Sequence, residues 1–189
     1  MAKIVFEEMV AGLAKDGDLI LSELSPVKAH LLHMAVGTAG EFGELLDAIS
    51  KPFLFGDELD TENVREELGD AEFYLEGLRQ GFGLDPIELG SGIYIFPKEH
   101  GLLAQAIRAS VTSCDLLDSV KKGVIYNKPF DMETIKDQLS LLDAVAGEIY
   151  RKANVSKEQA IEANIEKLGK RYEGHKYSDQ AAQTRADKN

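Results

Sequence analysis

Residues 44–68 read ELLDAISKPFLFGDELDTENVREEL, and residues 115–139 read DLLDSVKKGVIYNKPFDMETIKDQL. The two stretches align without a gap. Leu45, Leu46 and Asp47 meet Leu116, Leu117 and Asp118; Lys51 meets Lys122, Phe55 meets Tyr126, and Asp60 meets Asp131. Glu62, Val64 and Leu68 meet Glu133, Ile135 and Leu139. Two amphipathic helices resemble each other through composition alone, but a shared loop length and a shared capping aspartate point to duplication. Each copy reads as helix, loop, helix, and two such pairs related by a pseudo-two-fold pack as one core. The expected fold is therefore all-α: a four-helix core from two tandem helix-pair repeats, with additional N- and C-terminal helices. One domain spans residues 1–189, with repeat one at about 29–88, repeat two at about 100–159, and a closing helix and tail at 160–189.

Outward from the repeat, the punctuation is clear. Ser25-Pro26 reads as an N-cap followed by proline at the first helical position, and opens a long helix that Pro52 should end near Lys51. Asp60 or Thr61 caps the next helix, about 62–80, which stops near Gly81 and Gly83. Helices follow at about 99–122, at 132–152 behind Asp131, and at about 156–172. Ahead of these, a short amphipathic segment at about 4–14 stops at Asp16-Gly17-Asp18. Residues 90–96, GSGIYIF, read as an irregular insertion with a short strand. Gly90 to Gly92 are no phosphate loop, because no Lys-Ser/Thr follows and no helix opens there. The last residues are polar and expected to be mobile unless something docks on them.

The chain of 189 residues is 44% hydrophobic and 29% charged, ordinary for a globular domain with one core. A net charge of −12 argues against holding phosphate backbones directly, so no nucleic-acid partner is expected. A bound divalent cation reverses that argument locally. Cys114 is the only cysteine, which excludes disulfides and cysteine zinc sites; it is expected in the core. Neither a signal peptide nor a membrane span is legible, so a cytosolic protein with no membrane partner is expected.

The chemistry concentrates in GTAGEFGELLDAI, residues 37–49. Each mid-helix glycine costs roughly 0.5–1 kcal/mol relative to alanine, yet Gly37, Gly40 and Gly43 stand beside Glu41 and Glu44. At about 100° per residue, Glu41 falls at the edge of the apolar arc, with Glu44 one turn on. On the next helix Glu67 projects inside the apolar arc, and Asp70 lies three residues further. A buried carboxylate must take up a proton or find a partner, and two facing acid pairs repel. A hard cation with oxygen ligands resolves both, and glycines make room beside it. The second repeat has Thr112, Asp115, Gln138 and Leu141 at the four positions, so it is a scaffold half without a metal site. The competing reading is a non-enzymatic helical interaction protein whose acids only solvate it.

HMAVGTAGEFGELLDAI followed by REELGDAEFYLEGL resembles the MazG-like all-α nucleoside triphosphate pyrophosphohydrolases, the superfamily that includes dimeric dUTPases and phosphoribosyl-ATP pyrophosphohydrolase. The family pattern of Glu-x-x-Glu and then Glu-x-x-Asp falls on Glu41, Glu44, Glu67 and Asp70. ANIEKLGKRYEGHKYS resembles the closing segment, with Asn164, Lys167 and Arg171 at its matching places. The resemblance implies Mg²⁺-dependent cleavage of a (d)NTP to (d)NMP and pyrophosphate, with Mn²⁺ able to substitute. It implies metal ligation by the four acids, Glu41 as proton acceptor, and Asn164, Lys167, Arg171 and Lys51 as substrate contacts. dUTP- or dCTP-specific cleavage stays open, and His30 and His33 lie on the acid side of their helix. Short members assemble two or more chains, so a homo-oligomer is compatible with the resemblance. This chain is expected to be a fused form that supplies both helix pairs itself. Gly40 stands where many members carry a further glutamate, which leaves the metal count open.

Overall fold

In the computed structural model, which describes residues 5–85, 94, 96, 97 and 100–188, the protein is all-helical, with no strand among those residues. Short helices α1 (Phe6–Leu13) and α2 (Gly17–Glu23) precede α3 (Pro26–Phe55) and α4 (Thr61–Phe82). Then come α5 (Leu102–Ile125), α6 (Met132–Ala153), α7 (Lys157–Arg171) and α8 (Asp179–Thr184). α3 packs on α4 and on α5, α5 packs on α6, and α7 lies on α4.

The duplication is visible residue by residue. Asp60 accepts the Asn63 N–H at 3.0 Å and Asp131 the Thr134 N–H at 3.2 Å, so both second helices start on the same cap. They end alike, with Gly83 at φ 65° and Asn154 at φ 55°. Gly56 and Asn127, again equivalent, both take positive φ in the loops. Such backbone favours glycine or asparagine. The core follows the same register. Leu45 and Leu116, Ile49 and Val120, Val64 and Ile135, Leu68 and Leu139, and Leu78 and Ile149 are all buried. Where α4 has Ala71 then Leu75, α6 has Leu142 then Ala146, so small and large exchange places between copies.

Several boundaries differ from expectation. α3 continues through Pro52 to Phe55, ending on left-handed Gly56, whose N–H donates to the Pro52 carbonyl at 3.1 Å. Proline so close to the helix end forfeits one hydrogen bond, and the turn beyond it still closes. Asp16 does not merely stop α1: its side chain accepts the Leu19 N–H at 3.0 Å and starts α2. Cys114 is exposed rather than in the core, because the arc of α5 that faces inward runs through Thr112, Ser113 and Leu116. Most of the 90–96 insertion, Gly90 to Gly92 included, lies outside the described residues. The tail does dock. Asp187, its carboxylate almost fully buried, receives a bidentate pair of hydrogen bonds from Arg171, each 2.7 Å. Among the described residues no helix is long and apolar enough to cross a membrane.

Candidate metal centre

Glu41 of α3 and Glu67 and Asp70 of α4 converge, with one carboxylate oxygen of each lying within 4.8 Å of the others. All three are half-buried. Two full charges at that separation repel by roughly 3 kcal/mol at an effective dielectric near 20. The protonation equilibria carry that strain. Burial first, then the charges of Asp70, Glu44 and Glu67, push the Glu41 carboxyl up to about 8. Burial, then Glu44, Asp70 and Glu66, push Glu67 up to about 7. The Lys167 ammonium opposes both shifts.

Glu44 is exposed, and its oxygens lie outside the 4.8 Å set, yet its charge raises both neighbours. It stands at the rim. Asp70 is clasped from α7: the Asn164 amide donates to it at 2.5 Å, and Lys167 donates to it and, at 3.2 Å, to Glu66. The clasp needs Gly69, because a Cβ there would come 2.7 Å from the Ala160 carbonyl and 3.2 Å from Asn164 Cβ. No side chain fits at that approach of α7 to α4. A polar pocket of about 410 Å³ lies alongside, bounded by Asn63, Arg65, Glu66, Asn164 and Lys167 among others.

Two expected residues are elsewhere. Lys51 is exposed and paired with Asp47 at 2.7 Å. Ten residues of helix put it about 15 Å along α3 from Glu41. Arg171 is held by Asp187, whose carboxyl that pairing lowers to about 2. His30 contacts the Gly77 carbonyl at 3.0 Å, and His33 meets the edge of Tyr74 with ring centroids 6.0 Å apart.

Tyr74 is the neighbour that the pattern of acids did not single out. Burial, then Glu41 and Asp70, raise its hydroxyl pKa. Its ring occupies the space a Cβ on Gly37 would enter, 2.2 Å away. Gly37 therefore makes room for an aromatic ring, a correction to the expectation that all three glycines serve a cation. Nothing lies within 4 Å of a Cβ on Gly40 or Gly43. A glycine one turn before an acid motif, facing an aromatic on the next helix, was the signal available for Tyr74.

The equivalent place in the second repeat has a different character. Thr112 is buried, Asp115 exposed, Leu141 partly buried, and Gln138 keeps a buried Oε1 without a hydrogen-bond partner. Among the described residues, no other group of acids, histidines or the cysteine converges as Glu41, Glu67 and Asp70 do. No family model, curated protein or solved structure matches the chain.

Proposed function

We infer that the chain is a nucleoside triphosphate pyrophosphohydrolase dependent on Mg²⁺ or Mn²⁺. One observation carries this reading: three carboxylates from two helices meet within 4.8 Å, with a lysine and an asparagine from a third helix on one of them. The donor set is all oxygen and half-buried, which suits a hard divalent cation. Glu41, Glu67 and Asp70 would hold it, with Glu44 at the rim able to join directly or through water. Such a cation, when bound, neutralises phosphate charge and lowers the pKa of a bound water.

The chain's own residues do the rest. Glu41, in its ionised form, accepts the proton of the water that attacks the α-phosphorus. The new P–O bond forms as the α–β bridging P–O bond breaks, and pyrophosphate leaves. Lys167 shifts from Asp70 to the leaving phosphates, and Arg171 joins it by exchanging Asp187 for phosphate oxygens. Asn164 orients Asp70 and the substrate. Lys51 is too distant along α3 to belong to this set. Incubation with Mg²⁺ and a panel of (d)NTPs tests the reading. Nucleoside monophosphate and pyrophosphate are the expected products, and orthophosphate without pyrophosphate defeats it.

A further inference from the structure

A second polar cluster lies where α4, α6 and the start of α7 meet. Lys157 places its ammonium 2.8 Å from Glu72 and 3.1 Å from Asp143. Glu72 is 8% exposed. Glu72 of α4 and Asp143 of α6 are equivalent positions of the two repeats, 71 residues apart, like every pair in the alignment. So are Arg79 and Tyr150, which complete the cluster; Arg79 reaches Asp143 at 3.5 Å. One lysine from outside the repeats thus joins the matching acids of both. It does so against the local electrostatics, because Lys157 is the first residue of α7, where the helix dipole disfavours a cation. The acids it meets, rather than helix formation, account for its place.

Lys157 also begins a stripe. Lys157, Ala160, Asn164, Lys167 and Arg171 follow at steps of three and four, one face of α7. Lys157 meets Glu72, Ala160 meets Gly69, and Asn164 and Lys167 meet Asp70. We propose that Lys157 is a positioning residue for the carboxylate centre: by bridging Glu72 to Asp143 it fixes α7 at the angle that sets Asn164 and Lys167 on Asp70. The acid-poor second repeat then serves the site through Asp143.

The proposal makes two effects move in opposite directions. Loosening α7 frees Asp70 from the Lys167 ammonium, so Mn²⁺ binds more tightly. The same loosening removes Lys167 and Asn164 from the substrate, so KM rises. General damage would weaken both. Lys157→Met is expected to lower the Mn²⁺ Kd about twofold or more by calorimetry while raising KM about fivefold or more. Amide exchange across residues 160–168 should quicken about tenfold, with α3 and α5 unchanged. Lys157→Arg and the exposed-site control Lys170→Gln should each keep Kd and KM within about twofold. Should Lys157→Met fail to fold, Glu72→Gln combined with Lys157→Met removes the buried charge without restoring the bridge, and the same opposed shifts are expected. A folded variant with exchange, Mn²⁺ affinity and KM all unchanged overturns the proposal, as does joint weakening of Mn²⁺ and substrate. The KM arm rests on the pyrophosphohydrolase reading and the Mn²⁺ arm on its cation site alone, whereas the exchange arm rests on neither. A wild-type protein that turns over no nucleotide defeats that reading, and the exchange and Mn²⁺ arms still decide the role of Lys157.

Discussion

The two helix pairs share caps, loop geometry and core register, yet they part at four positions. In the first pair these are Glu41, Glu44, Glu67 and Asp70; in the second, Thr112, Asp115, Gln138 and Leu141. Since the second pair folds on the same frame with one carboxylate of the four, Asp115, the converging acids Glu41, Glu67 and Asp70 are not needed for folding. Their raised pKa values go further: crowding the acids costs the apo fold free energy. Such a cost at one repeat, beside a copy that avoids it, is what the proposed cation site at that repeat leads one to expect. The contrast extends to α7, which presses on α4 at Gly69, whereas the matching position in α6 is Ser140.

The comparison breaks most sharply at Glu67. Glu67→Gln keeps the shape and removes one carboxylate charge of the centre, and it is expected to lower Mg²⁺-dependent turnover by roughly a thousandfold. Gln138→Ala at the equivalent site should leave turnover within about threefold, costing stability through lost packing. Steady-state kinetics on both, with melting curves of the apo proteins, decides. Loss of turnover only in a folded Gln138→Ala would put the active half on the wrong repeat. Full activity in both would remove the carboxylate site altogether.

The next effect is in pH. The Glu41 and Glu67 carboxyls stand near 8 and 7 when folded, above the ordinary glutamate value of 4.5. The folded apo protein therefore binds more protons than the unfolded chain between about pH 4.5 and 8. By linkage its stability is greatest below pH 4.5 as far as these groups are concerned, and falls as pH rises through 7 and 8. With partial exposure discounted, the loss is on the order of 1–3 kcal/mol, or roughly 3–10 °C in Tm. Glu41→Gln should flatten that fall, and saturating Mn²⁺ should reverse it above pH 7, since the cation binds the ionised acids. Differential scanning calorimetry across pH 5 to 9 measures all three curves. Flat apo stability in wild type would mean that the acids are solvated, as in the interaction-protein reading.

How far the sequence led can be judged from particular residues. The caps Ser25 and Asp131 lie where the pattern placed them, and Asp60 is the cap of the two residues the pattern offered, because capping is a local property of three or four residues. The approach of Glu41 to Glu67 and Asp70 was legible for a similar reason, since helical period fixes a face and the repeat fixes which helices face each other, whereas Glu44 lies outside the converging set. Pro52 was misread because its cost depends on how many turns remain after it, and three residues of helix still close on Gly56. The docked tail and the Glu72–Lys157–Asp143 bridge were invisible. They join residues of different elements, 16 positions apart for Arg171 and Asp187 and 14 for Lys157 and Asp143, and nothing in a polar stretch says which cation awaits it. Tyr74 read as core, correctly for its ring, but periodicity carries no information about which charges surround a hydroxyl.

The smallest expected effect returns to the glycines. Gly40 and Gly43 have open space around them, and the second repeat carries Val111 and Cys114 at those positions, so neither is required by packing. Alanine at either should stabilise the helix by about 0.5–1 kcal/mol, a rise of roughly 1–4 °C in Tm. They differ in direction. Gly40 lies one turn after Gly37, which faces Tyr74, and one turn before Glu44, so it shares the face of the carboxylate centre. Gly43 is about 200° around the helix from Glu41 and faces away. Gly40→Ala should therefore raise KM about threefold or more by intruding where substrate approaches, while Gly43→Ala leaves KM unchanged. Kinetics and melting of the two variants side by side separate the cases. If both are stabilised and neither changes KM, the open space beside Gly40 is not where substrate lies, and the helix keeps its glycine there for no reason connected with the site.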